Sequence, residues 1–92
     1  MADSLRLDKF LWFARIVKTR VAAHALAEEG RIRIDGRVID RAHAPVRVGD
    51  VLSFAHRGQV RVLRVENLPI RRGPPAEARA FYCELTSEGG QA

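Results

Sequence analysis

The side chains able to do chemistry in this 92-residue chain are mostly cations, and they are not spread evenly. Arg6 and Lys9 open one apolar-periodic stretch, Lys18, Thr19 and Arg20 fill the gap before a second, and Arg31, Arg33 and Arg37 follow Gly30. Guanidinium groups grip phosphate through paired hydrogen bonds and ammonium groups act as point charges, while a threonine ahead of a helix can cap it and also donate to a ligand. Recognition of a polyanion is the chemistry this set supports. Parts for catalysis are wanting by comparison. Ser4, Ser53 and Ser87 stand in no nucleophile motif, His24, His43 and His56 have neither metalloprotease spacing nor a neighbouring cysteine, and no glycine-rich phosphate loop occurs. The chain therefore reads as non-enzymatic, and without a Cys/His cluster of zinc spacing it calls for no metal or other cofactor. Cys83, the single cysteine, sits beside Phe81 and Tyr82 and reads as packing; it excludes an intramolecular disulfide and fits a reducing compartment.

These cations must be positioned by the elements around them. Leu7, Phe10, Leu11, Ala14 and Val17 recur at helical spacing and predict a helix from Leu7 to Val17, with Asp8 in its first turn, where negative charge suits the helix dipole. Trp12, Phe13 and Ile16 lie on the opposite side. A helix apolar on two sides needs two covers, so the segment from about Val60 to Tyr82 is expected to fold back over them; the alternative is a face that binds a partner. Thr19 is placed to cap a second helix, Arg20 to Glu29, whose Ala22, Ala23, Leu26 and Ala27 would face the first. Gly30 falls where a left-handed C-terminal cap belongs. From there the pattern alternates, with a strand at 31–34, the hairpin turn Asp35-Gly36, and a returning strand at Val38-Ile39. Two further strands are expected at Val51 to Ala55 and Val60 to Glu66, with a bulge near Leu63 where strict alternation fails. Arg72-Gly73-Pro74-Pro75 should end the sheet, and Pro75 suits the first turn of a short helix reaching about Phe81.

If the helix pair and the first hairpin pack as one unit, the basic groups can converge on a single edge. Arg20 and the unsatisfied N–H groups at the start of the second helix would then form an anion site. The competing reading is an ordinary solvated face. Charge bears on the choice: sixteen Lys and Arg against eleven Asp and Glu leave a net +5, and the excess lies in residues 1–74, the remainder being acidic. With 47% apolar residues the chain can support one modest core, and no apolar stretch approaches the ~20 residues that span a bilayer.

Several short elements also recur together, in order. Arg6-Leu7-Asp8-Lys9-Phe10-Leu11, then Lys18-Thr19-Arg20, Ala23, Gly30, Ile32, Ile34-Asp35-Gly36, Val38, Pro45 and Val48-Gly49-Asp50-Val51-Leu52 resemble the S4 RNA-binding domain. Asp35 stands where that family usually has Asn. Trp12 and Phe13, with Arg71-Arg72-Gly73-Pro74-Pro75-Ala76-Glu77-Ala78 and Phe81-Tyr82, narrow the resemblance to the stand-alone bacterial heat-shock proteins of that family. The resemblance implies an α+β fold, an S4-type helix pair on a small mainly antiparallel sheet with a short C-terminal helix. It also implies binding to ribosomal RNA on free large ribosomal subunits that still hold a stalled nascent chain. Members usually carry a longer basic C-terminal extension, whereas this chain ends in an acidic-to-neutral tail.

Together these readings describe one domain over residues 1–92, with a core motif at 5–54, an extension at 55–86 and a disordered tail at 87–92. It is expected to be monomeric, cytoplasmic and not membrane-bound. Arg6, Lys9, Lys18, Arg20, Arg31, Arg33 and Arg37 are the expected phosphate contacts, and Thr19 is expected to cap the second helix and to donate to RNA. A general RNA-binding accessory of ribosome assembly or translation, and a protein-interaction module using Trp12, Phe13 and the sheet's open edge, remain as alternatives.

Overall fold

A computed structural model describes residues 3–56 and 58–85. Strand β1 (Ser4–Arg6) leads directly into helix α1 (Leu7–Phe13), and a loop then reaches helix α2 (Arg20–Glu28). Strands β2 (Ile32–Ile34), β3 (Arg37–Ile39), β4 (Pro45–Arg47), β5 (Val51–His56) and β6 (Gln59–Val65) follow, then helix α3 (Pro75–Ala78), a 3-10 turn and strand β7 (Tyr82–Glu84). β1 pairs with β4, while β3-β2-β5-β6-β7 form an antiparallel sheet in that spatial order.

Leu7, Phe10 and Leu11 give α1 a fully buried stripe, each 0% exposed. Its first N–H groups need no side-chain cap, because Leu7 and Asp8 donate to the carbonyls of Ala44 and Ala42 at 2.9 and 3.0 Å. The helix stops at Phe13, four residues short of the expected Val17, because Arg15 adopts a left-handed φ of 58°. Ala14 and Val17 are still buried, but in a loop whose N–H groups turn back to Phe10 and Leu11. The apolar period outlasts the helix, which is why it misled.

In α2 the expected start is observed: Thr19 Oγ1 accepts the N–H of Ala22 at 3.0 Å. Ala23, Leu26 and Ala27 are buried, whereas Ala22 is exposed, contrary to expectation. Gly30, at φ 73°, supplies the left-handed exit. Asp35 and Gly36 (φ 51° and 87°) form the hairpin turn between β2 and β3. The Asp35 carboxylate accepts the Val51 N–H at 3.0 Å, so this side chain ties the turn to the start of β5.

No bulge interrupts β6. Its register with β5 runs unbroken from His56↔Gln59 to Val51↔Arg64, and Leu63 faces Leu52 with both at 0% exposure. Alternation is intact; Arg61 takes an inward position, so the valines at 60 and 62 fall on the outward face. The sheet also continues past Arg72–Pro75, because β7 returns to pair with β6. Glu66 N–H donates to Phe81 O at 2.8 Å and Asn67 Nδ2 to Ala80 O at 2.9 Å, closing the excursion that carries α3. Ile16 is buried (5% exposed) and Trp12 and Phe13 are half-buried; Arg72 from the C-terminal segment lies over the Trp12 indole, so the expected cover is observed for Trp12. The tail expected to be disordered lies outside the described residues. Both helices pack with the inward sheet face into one cluster centred on Phe10, Leu11, Ile32, Leu52 and Leu63.

Candidate nucleic-acid interface

The turn joining α1 to α2 gathers the cations. Arg15 pays for its left-handed backbone, about 1 kcal/mol or more for a residue with a Cβ, with a 2.7 Å hydrogen bond from Nε to Gly73 O, 58 residues away. Thr19 is extended (φ −133°, ψ 159°), and beyond it the N–H groups of Arg20 and Val21 find no acceptor among the described residues. The start of α2 therefore keeps the partial positive charge of unsatisfied donors. The Arg20 and Arg72 guanidinium groups lie 5.4 and 5.1 Å from the centre of the Trp12 ring. Arg72 Nη2 also donates to Lys18 O at 3.4 Å. Beside this turn opens a cleft of about 510 Å³ between Arg15, Lys18 and Thr19 on one side and Gln59 and Arg61 on the other.

The structure separates the eight residues singled out from sequence into groups. Lys18, Thr19 and Arg20 stand together, exposed, at the turn. Arg6 is 49% exposed but held by Asp8 through two bonds of 3.1 and 2.9 Å, and Arg31 pairs with Glu29 at 3.5 Å. Lys9 is half-buried on α1. Arg33 and Arg37 do not share a face: Arg37 is directly opposite inward-facing Ile34, while Arg33 points the other way. Strand alternation thus splits the hairpin arginines between the two sheet faces. Among the described residues, Lys9, Lys18, Arg20, Arg33 and Arg37 have no carboxylate in ion-pair contact.

Arg15 and Arg72 belong to the same cluster and are not among the phosphate contacts expected from sequence. Arg15 interrupts an apolar helix pattern and Arg72 sits in a double arginine before Gly73, signals too weak to place either beside Trp12. Burial, and then the neighbouring charge of Arg15, holds the Arg72 guanidinium below its ordinary value. Arg61 shows the opposite: hydrogen bonds from its guanidinium to Glu84 raise it despite burial. No described cluster of His, Cys, Asp and Glu could hold a metal ion, and no described helix is long and apolar enough to cross a membrane.

Fold and site together define a small basic α+β module, a helix pair laid on an antiparallel sheet with uncompensated charge at the helix turn. The S4 domain family model matches residues 5–52, more than half of the chain, and the chain belongs to that family. It is 35% identical to the RQC P-site tRNA stabilizing factor of Listeria innocua over 96% of this chain and 94% of the relative. It is also 32% identical to Heat shock protein 15 of Escherichia coli over 95% of this chain, which spans 64% of that longer protein. The trimeric structure of Vibrio cholerae Heat Shock Protein 15 superposes with a TM-score of 0.83 at 28% identity, covering 92% of this chain and 84% of the other.

Proposed function

We propose that this protein binds structured ribosomal RNA without catalysing a reaction, and does so on free large ribosomal subunits that retain a stalled nascent chain, in the cytoplasm. The observation that carries the reading is the α1–α2 turn, where Lys18 and Arg20 stand at the start of a helix with no carboxylate partner among the described residues. Phosphate would complete their coordination, with Arg6, Lys9, Arg31, Arg33 and Arg37 as further contacts away from the turn. Because A-form major grooves are too narrow for side chains to read, such a site recognises RNA by shape and backbone. The name of one relative, a P-site tRNA stabilizing factor, supports the ribosomal setting.

A tagged copy sedimented from lysate provides the test. Cosedimentation with free large subunits, enriched when translation is stalled, is the expected result. Equal recovery on small subunits or intact ribosomes would favour a general RNA-binding accessory. A protein-interaction module is the other alternative, for which the outward sheet face with Val38 and Val60 (56% and 63% exposed) speaks; association insensitive to moderate salt would favour it.

A further inference from the structure

We propose that Arg72 is a positioning residue of the RNA interface: stacked on Trp12 and bonded to the Lys18 carbonyl, it holds the Lys18–Arg20 turn, and the Arg20 guanidinium with it, in the geometry that meets phosphate. This rests on the RNA-binding reading above. Arg72 lies outside residues 5–52, where the family model matches, yet it reaches back across 54 residues to the turn. Its guanidinium and that of Arg20 share one indole, at 5.1 and 5.4 Å, so the place of one constrains the other.

Folding alone gives little reason for this arrangement. Among the described residues, Arg72 Nη1 is buried without a hydrogen-bond acceptor and no carboxylate pairs with Arg72, and the charge of Arg15 disfavours its protonated form. Orphaned buried donors and gathered like charges both cost free energy, and a local conflict of this kind is expected where a site is held ready for a ligand. Arg72 is turned inward, with its ring-facing surface on Trp12 and Nη1 closed off from solvent, whereas Arg20 is exposed. Arg72 therefore acts through Arg20 and the Lys18 backbone, with the phosphate contact left to them.

A double-mutant cycle with purified large ribosomal subunits tests this. Arg72→Gln should weaken binding about tenfold in the otherwise native chain and less than about twofold when Arg20→Ala is already present, because residues acting through one contact are not additive. Arg72→Lys keeps the charge but not the planar stacking group, so it should lose about as much, and it carries the cycle if the Gln variant folds poorly. Losses that multiply in the double variant would make Arg72 an independent contact and overturn the proposal, as would native affinity in Arg72→Gln or Arg72→Lys. If Arg20→Ala alone leaves affinity intact, the RNA-binding reading itself has failed.

Discussion

The α1–α2 turn and the β6–β7 edge are both rich in arginine, and they use it oppositely. At the edge every arginine of β6 has an acidic partner: Arg61 binds Glu84 at 2.8 Å, between Phe54 and Tyr82, and Arg64 binds Glu66 at 2.9 Å. At the turn, Arg15, Lys18, Arg20 and Arg72 meet backbone carbonyls, an indole or solvent, and no carboxylate among the described residues. Charge that is neutralised within the chain serves the fold. Charge left uncompensated beside a helix start is available to a ligand, and net charge alone cannot tell the two apart.

Removing residues 56–92 should have the largest effect on this contrast. It deletes Leu63 and Val65, 0% and 1% exposed, together with Arg72. Loss of two such side chains costs on the order of 2–5 kcal/mol each, comparable with a small domain's whole stability. The shortened chain should lose cooperative unfolding and show red-shifted Trp12 emission; a native-like emission maximum would mean that the C-terminal segment does not support the turn.

Arg61→Ala comes next. The variant should lose about 1–2 kcal/mol of stability, a range set by a partly exposed charge-assisted hydrogen bond, while binding large subunits as the native chain does. Denaturant titration and a binding isotherm check both halves. A large loss of affinity at unchanged stability would reverse the roles assigned to edge and turn.

How far these regions were legible in sequence depends on how local their causes are. Thr19 as a cap, Gly30 as a left-handed exit and Asp35-Gly36 as a hairpin turn each depend on a few neighbouring residues, and all three are observed. The end of α1 depends on Arg15 meeting Gly73, and β1, β4 and β7 are three-residue strands specified by partners far along the chain. Periodicity has nothing to say about such contacts. The same division runs through the candidate site: Lys18, Thr19 and Arg20 are contiguous and were singled out, while Arg15 and Arg72 join them only through the tertiary fold.

Gly30→Val should have the smallest effect on stability, about 1 kcal/mol, because a Cβ there meets nothing within 4 Å and only the positive φ is strained. An unchanged midpoint in chemical denaturation would show that α2 can leave its last turn by another route without strain.

The salt dependence of binding to purified large ribosomal subunits tests the central claim most directly, measured for the native chain, Arg20→Ala and Arg79→Ala. With about five phosphates neutralised, log K against log salt should fall with a slope of roughly −3.5 to −4.5. Arg20→Ala should weaken binding and make that slope shallower by about one, whereas Arg79→Ala, beyond the turn, should change neither. A native slope near zero, or equal losses in the two variants, would contradict a localised electrostatic interface at the α1–α2 turn.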